Sequence, residues 1–184
     1  MATLTTRILG FTVAAGALLA QGEAPLEYQV KAAFLYNFAR FVEWPAGQPG
    51  EGGGPIVACV FGKDPFGATL DQTLEGKTVN GRAIVARRAT GLAELKRCQI
   101  VFISASEKKR MAEILQSLAS GGVLTVGETD HFGEHGGMVN FTREQNKVHL
   151  EINPEAAARA GLRISSQLLK LARVVRDEVE AGRH

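Results

Sequence analysis

The sequence predicts an α/β fold: a single three-layer domain with a central, mostly parallel mixed sheet flanked by helices, and with a hairpin and a helix towards the C-terminus. Short, continuously apolar runs alternate with segments of helical periodicity in the middle of the chain, which is typical of parallel strands joined by crossover helices. A polar turn between two later strand-like segments indicates a hairpin, and therefore a mixed sheet. The 184 residues, 45% of them hydrophobic, suffice for one domain with a substantial core.

Residues 1–20 have the layout of a secretory signal peptide. Arg7 precedes an apolar run from Ile8 to Ala20, and small residues lie at its end. The run is shorter than the roughly 20 residues that a membrane-spanning helix needs, which makes a transmembrane anchor the weaker alternative. Residues 21–184 then form the exported domain.

The first helix is predicted from Glu27 to Val42, because apolar residues recur there at spacings of three and four before Pro45. Buried strands are predicted from apolar runs at Ile56–Phe61, Ile100–Ile103 and Val123–Val126. Helices are expected at Phe66–Leu74 and Glu107–Ala119, and an extended segment with an Asn80-Gly81 turn at Lys77–Arg88.

Near the C-terminus, Gly137–Phe141 and Lys147–Asn153 are predicted to pair as a hairpin. Asn153-Pro154 then opens a short helix that Gly161 closes. A last helix is predicted from Ser165 to Ala181, with its apolar residues facing the core. These inward residues are Leu168, Leu171, Ala172, Val175 and Val179.

Charge and motifs exclude several classes of function. The formal net charge is only +2, and loss of the leader would remove Arg7 as well, so no basic face for nucleic acid is expected. His131-Phe132-Gly133-Glu134-His135 matches the H-x-x-E-H pattern of zinc peptidases, but its glycine and the following Gly136-Gly137 disfavour the helix that this chemistry needs. A zinc hydrolase is therefore the weakest hypothesis. With no phosphate-binding loop or nucleophile elbow present, we expect a protein that is not an enzyme and that holds no metal or cofactor.

Two cysteines, Cys59 and Cys98, fall in or beside apolar strands. From spacing alone they are either a disulfide or two buried free thiols.

A series of motifs resembles one known family over about residues 26–176. The motifs are EYQVKAAFLYNF at 27–38, VEWP at 42–45, CVFG at 59–62, CQIVF at 98–102, VLTVGE at 123–128, GMVNF at 137–141, EIN at 151–153 and GLRISSQLL at 161–169. In this order they resemble the YfiR family of periplasmic proteins.

The resemblance implies a periplasmic regulatory protein that binds and represses an inner-membrane diguanylate cyclase of the YfiN type, and so controls cyclic-di-GMP and biofilm formation. A YfiB-type outer-membrane lipoprotein is a further implied partner, and a homodimer is expected. The competing hypothesis is a periplasmic small-molecule binding module that serves a sensor kinase or a transporter, with a crevice at the strand ends.

The resemblance also assigns roles to individual residues. It implies a disulfide between Cys59 and Cys98, partner contacts at Glu151 and Phe141, and a small-ligand position at Arg163. The alternatives are structural: Glu151 pairs with a nearby cation, Phe141 belongs to the core, and Arg163 caps a helix. Some relatives have a second cysteine pair near 133–140, which this sequence lacks.

Overall fold

The structure, a computed structural model, describes residues 23–47 and 53–177. The predicted signal peptide, residues 1–20, lies outside the described residues. Among the described residues, no helix is long and apolar enough to cross a membrane.

Helices and strands alternate along most of the chain. The helices are α1 (Glu23–Phe41), α2 (Ala68–Leu74), α3 (Leu92–Leu95), α4 (Met111–Leu118), α5 (Pro154–Arg159) and α6 (Ser166–Leu169). The strands are β1 (Val42–Glu43), β2 (Ile56–Phe61), β3 (Thr78–Val79), β4 (Arg82–Ala89), β5 (Ile100–Ile103), β6 (Leu124–Gly127), β7 (Val139–Glu144), β8 (Lys147–Ile152), β9 (Arg163–Ile164) and β10 (Arg173–Val174).

Within the described residues, the main sheet has eight strands in the order β10-β8-β7-β6-β5-β2-β4-β3. Parallel pairing joins β2 to β4 and β5, β5 to β6, β6 to β7, and β8 to β10, whereas the β7–β8 hairpin and the β3–β4 pair are antiparallel. The predicted fold class, α/β with a mostly parallel mixed sheet, is confirmed. A separate two-stranded sheet pairs β1 with β9.

The central strands are apolar throughout because both faces of the sheet are covered. On β2, Ile56, Ala58 and Val60 belong to the core that contains α1 and α2, whereas Val57, Cys59 and Phe61 belong to the core beneath α3 and α4. Alternate side chains of a strand point to opposite faces, so a strand between two helical layers requires six apolar residues in a row.

The prediction for the last helix is wrong beyond its first turn. Of the segment predicted as helical from Ser165 to Ala181, the described part forms α6 and then the edge strand β10. Residues 178–181, which include the predicted inward residue Val179, lie outside the described residues. Leu171, which was expected to face the core, is 69% exposed. The physical reason is the open edge of β8: the amide of Val175 donates to the carbonyl of Ile152 at 2.9 Å, a bond that a helix could not make.

The helix predicted at Glu107–Ala119 differs in its first half. Ala105–Arg110 forms a 3₁₀ helix, and regular α-helix begins only at Met111. Every apolar residue of the predicted stripe is nevertheless buried, since Met111, Ile114, Leu115 and Leu118 all lie in α4.

Candidate partner-binding site

Glu151 lies near one edge of the main sheet, between β7 and β10. In the strand register it stands opposite Asn140 on β7 and beside Arg173 on β10. The side chain is buried, with 9% of the residue exposed. One carboxylate oxygen accepts a hydrogen bond from Nδ2 of Asn140 at 3.3 Å, and the other pairs with the guanidinium of Arg173. The carboxylate therefore links a buried amide to a surface cation.

Asn140 is almost completely buried, at 2% exposure. Its Nδ2 also donates to the carbonyl oxygen of Thr129 at 2.9 Å, whereas no donor among the described residues reaches its buried Oδ1. Both partners of Nδ2 are acceptors, which fixes the orientation of the amide. Glu151 thus contributes one of the two acceptors that hold this amide in place.

A C-terminal segment, residues 173–177, covers Glu151 and fastens to β8 and α5. Besides the Arg173–Glu151 pair, Asp177 accepts a hydrogen bond from Nδ2 of Asn153 and pairs with Arg159. Asn153 also caps α5, since its Oδ1 accepts from the amide of Ala156 at 2.9 Å. The segment is therefore anchored at both of its ends by buried or partly buried polar groups.

The outermost segment of this edge, residues 171–176, carries both exposed apolar side chains and exposed cations. Leu171 is 69% exposed and Val174 is 53% exposed. The side chains of Arg173 and Arg176 are 66% and 75% exposed, and each pairs with a glutamate of the domain. We call Glu151, Leu171, Arg173, Val174 and Arg176 the β8–β10 edge. The hydrogen bond to Glu151 raises the pKa of Arg173.

Phe141 lies inside the protein rather than on this surface. Its residue exposure is 3%, and its ring packs with those of Phe38 at 5.9 Å and Phe34 at 6.0 Å between ring centroids. Both neighbours belong to α1. A direct partner contact at Phe141 stays a prediction, and the ring itself packs in the core against α1.

Arg163 lies apart from the other two residues in the fold, on β9 in the small sheet. Its side chain is 84% exposed, with Nε 3.6 Å from a carboxylate oxygen of Glu43 on the neighbouring strand. The glutamate also lines a cavity of about 290 Å³, whose other walls include Trp44, Arg82 and Gln99. Ligand binding at Arg163 stays a prediction.

Cys59 and Cys98 form a disulfide, as the resemblance implied. Their Cα atoms are 6.0 Å apart across a sequence separation of 39, and both residues are 1% exposed. The disulfide links the central strand β2 to Cys98, which lies just before β5. Its position inside the core indicates a structural role.

A buried ionic cluster beneath α1 was missed in the sequence. Lys31 is 4% exposed, and its Nζ lies 2.5 Å from Glu27 and 2.8 Å from Glu128. The hydroxyl of Tyr28 donates to the same Glu128 oxygen at 3.2 Å. Burial and then the charge of Glu128 raise the pKa of Tyr28. The Glu27–Lys31 spacing on a helix was a visible signal, but the third partner comes from the distant end of β6.

The crevice at the strand ends, where a ligand was the alternative hypothesis, is closed by the protein itself. The loops after β2 and β5 meet there, and the amide of Lys63 donates to Oγ of Ser106 at 2.9 Å. A Cβ atom at Gly62 would lie 2.5 Å from that oxygen and 2.8 Å from Cγ of Glu107. The space between the two loops is therefore filled.

The His131–His135 segment forms turns and no helix. His131 has a φ of 62°, and its Nδ1 lies 2.5 Å from a carboxylate oxygen of Glu134. The buried ring of Phe132 anchors the loop between Gly127 and Gly137, where added Cβ atoms would overlap it. In the described part of the chain, no group of three histidine, cysteine, aspartate or glutamate side chains is placed to hold a metal ion.

Comparisons with solved structures show the fold alone. A conserved domain protein from Vibrio cholerae O1 biovar El Tor matches with a TM-score of 0.53 and 10% identity, over 80% of this chain and 59% of that one. The ABC domain from Streptococcus pneumoniae in complex with L-Trp matches with a TM-score of 0.50 and 12% identity, over 83% of this chain and 60% of that one. The chain thus spans about three fifths of each of these proteins.

The comparison with protein families is more specific. Residues 28–173 match the YfiR/HmsC-like family, and this range contains Glu151, Phe141, Arg163 and both cysteines. It runs from the first turns of α1 to the first residue of β10, and so covers the whole main sheet apart from its last edge residue. The chain therefore belongs to the YfiR/HmsC-like family.

Proposed function

We propose that this protein is a periplasmic repressor that binds the periplasmic domain of an inner-membrane diguanylate cyclase of the YfiN type. Membership of the YfiR/HmsC-like family supports a periplasmic regulator of cyclic-di-GMP signalling. The repressor would hold the cyclase inactive, and its release would raise cyclic-di-GMP and promote biofilm formation.

The observation that carries the proposal is the β8–β10 edge. Exposed apolar side chains beside arginines are typical of surfaces that bind proteins, because the apolar atoms supply burial and the guanidinium groups supply directed hydrogen bonds. Leu171 and Val174 provide the exposed apolar atoms, and Arg173 and Arg176 provide the guanidinium groups. Within this edge, the buried carboxylate of Glu151 pairs with Arg173 and so holds its guanidinium in place.

Regulation then follows from competition. A second partner, for which a YfiB-type outer-membrane lipoprotein is proposed, would sequester the repressor. The cyclase is released when the second partner has the greater ratio of concentration to dissociation constant. The second partner can release the cyclase only by the difference in its affinity for the free repressor and for the cyclase-bound repressor. A homodimer of the repressor belongs to the same proposal.

The test is association of the purified protein with the purified periplasmic domain of the cyclase, measured by calorimetry. We expect saturable binding with a dissociation constant of about 10 μM or tighter, which is roughly 7 kcal/mol. Arg173→Glu should weaken it, because this change reverses the charge at the edge. Arg110→Glu changes an exposed and ion-paired arginine immediately before α4; it is the matched control and should bind like the unmodified protein. Absence of binding at high micromolar concentrations would contradict the proposal.

A small-molecule binding module that serves a sensor kinase or transporter is the second candidate. The cavity beside Trp44, Arg82 and Gln99 favours it, because an aromatic ring and a cation at one opening suit a small anionic or aromatic ligand. The closed crevice between Gly62 and Ser106 is against it. A thermal shift with a defined set of metabolites distinguishes the two: a shift that Trp44→Ala abolishes, without cyclase binding, would support the module.

A further inference from the structure

Strand β4 lies near the edge of the sheet that is farther from β8 and, among the described residues, part of its backbone has no neighbouring strand there. One side of β4 pairs with β2 along the whole stretch from Ile84 to Ala89. On the other side, β3 pairs only with Arg82 and Ala83, and the amide of Ile84 makes a last bond to the carbonyl of Lys77 at 3.2 Å. Within the described ranges, no strand pairs with this side of β4 after that bond.

The direction of the hydrogen bond from the Ile84 amide identifies the backbone amide and carbonyl groups that lie along the open edge. Successive residues of a strand direct their amide and carbonyl groups to alternate sides, so those of Ala86 and Arg88 point the same way as the Ile84 amide. Donors and acceptors arranged in this way along a strand are a template for pairing with another extended chain.

A groove runs beside this open edge, between β4 and α2. Its volume is about 540 Å³. Small residues line part of it: Ala68 and Gly76 on the side of α2, and Ala83 and Ala86 on β4. The carboxylates of Asp71 and Glu75 also line the groove, so the side chains that enter it are expected to be uncharged. Gln72 lies at the rim, exposed on α2. The small walls leave room for apolar side chains of a strand that pairs with β4.

The charges at the edge indicate the chemistry of that strand. The guanidinium of Arg88 donates to Asp71 on α2 and to Asp64 in the loop before it, at 2.8 Å each, so its charge is compensated. Arg87 is exposed and shares the opposite face with Ala89, which packs in the core beneath α3 and α4. An added strand would place a side chain beside Arg87, where a carboxylate forms a favourable cross-strand pair.

We infer that this edge binds an extended, acidic segment of another protein as an added strand. Apolar side chains of the segment fill the groove beside α2, and an aspartate or glutamate pairs with Arg87. A second copy of this chain fits less well, because it would bring the exposed Arg87 of both molecules to one shared edge, where like charges repel.

This surface goes beyond the proposed function because it lies on the other side of the sheet. Strands β4 and β8 are separated by five strand spacings in the sheet order, which is about 24 Å. A strand bound at β4 therefore leaves the β8–β10 edge free, and its partner need not be the cyclase. Failure of cyclase binding and failure of strand binding are separate results.

The test uses two fluorescent heptapeptides with capped ends, one with alternating valine and glutamate and one with alternating valine and lysine. Fluorescence anisotropy with the purified protein should show binding of the glutamate peptide. Arg87→Glu should reverse the preference towards the lysine peptide.

Two further variants test the backbone and the groove. Ala86→Pro removes an outward amide without touching the ladder to β2, and Gln72→Trp fills the groove. Each should weaken binding about tenfold or more, because strand addition depends on both backbone bonds and side-chain pockets. Gln116→Trp is the matched control, since it makes the same exchange on an exposed position of α4, across the sheet, and should leave binding unchanged.

Circular dichroism would show that each variant is folded. The inference is overturned if neither peptide binds at millimolar concentration, or if binding survives both Ala86→Pro and Gln72→Trp. Concentration-dependent dimerisation of the protein that Ala86→Pro abolishes would also overturn it, by showing that a second copy occupies the edge.

Discussion

Asn140 and Glu151 stand directly opposite each other on β7 and β8, and the amide nitrogen of the first lies 3.3 Å from a carboxylate oxygen of the second. Both residues are buried, yet the carboxylate also reaches the exposed Arg173. This relationship gives Glu151 two roles: it satisfies a buried amide, and it positions a cation at the surface. The two roles can be separated by mutation.

The first prediction concerns stability at this site. Glu151→Ala should lower the free energy of unfolding by about 1–3 kcal/mol, because the Asn140 amide loses an acceptor in the interior. Glu151→Gln should have a smaller effect, because its amide oxygen can still accept the hydrogen bond from Asn140 while only the ion pair with Arg173 is lost. Urea unfolding monitored by circular dichroism measures both. Equal losses for the two variants would contradict the distinction between an interior and a surface partner.

The second prediction concerns the disulfide. Replacing both Cys59 and Cys98 by alanine should cost about 2–4 kcal/mol, because the unfolded chain is no longer cross-linked across their 39-residue separation. A reductant alone should act slowly on the folded protein, since both residues are 1% exposed. Thermal unfolding with and without reductant provides the measurement. An unchanged unfolding midpoint in the double variant would show that the bond does not stabilise the fold.

The third prediction concerns the ionic cluster under α1. Lys31→Met should destabilise the protein by about 3–5 kcal/mol, because it leaves the carboxylates of Glu27 and Glu128 without their buried cation. Adding Glu128→Gln to this variant should recover part of the loss, since one of the two like charges is then removed. A double-mutant cycle by urea unfolding is the check, and losses that simply add would speak against direct coupling.

The fourth prediction is a pH dependence that comes from Tyr28. Burial, and next the charge of Glu128, raise the pKa of this phenol above its ordinary value of 10.0. The folded protein therefore keeps the proton at pH values where the unfolded chain releases it. This contribution to stability is complete below about pH 10 and is lost as the pH rises above that value.

Tyr28→Phe is the variant that tests it, because phenylalanine keeps the ring that packs edge-on against Phe66 at 5.3 Å. Unfolding by urea at about pH 8 and about pH 11 should show a steeper loss of stability in the unmodified protein than in the variant. Parallel losses in the two proteins would place the alkaline sensitivity elsewhere.

Much of the fold could be predicted because local sequence and tertiary structure agree there. The run Ile56–Phe61 is apolar at every position and is buried on both faces of the sheet. The Asn80-Gly81 pair has positive φ angles of 51° and 77°, a conformation that these two residues adopt at low cost.

The C-terminal strand could not be predicted from its own residues. Leu168, Leu171, Ala172 and Val175 have helical spacing, but Val175 instead completes a hydrogen bond on the edge of β8. The conformation of this segment depends on the free edge of β8. The spacing of the segment's own apolar residues contains no information about that edge. The burial of Lys31 could not be predicted for the same reason, because its partner Glu128 lies 97 residues away in the sequence.

The site residues were only partly predictable. Resemblance pointed to Glu151, and the structure places it beside a mixed apolar and cationic surface. The same resemblance gave Phe141 the same role, yet the alternation of side chains along β7 turns its ring towards α1. The exposure of Leu171 and Val174 was not predicted, because this segment was expected to be a helix.

The most direct test of the proposed repression is cyclic-di-GMP synthesis by the full-length YfiN-type cyclase in lipid nanodiscs, titrated with the purified protein. The proposal predicts that synthesis falls in a saturable way. With Glu151→Ala, the concentration for half-maximal inhibition should rise about tenfold, or roughly 1.4 kcal/mol, because Arg173 loses its anchor. Glu113→Ala, an exposed glutamate on α4, should inhibit like the unmodified protein. Synthesis that stays constant at saturating amounts of the folded protein would contradict the account.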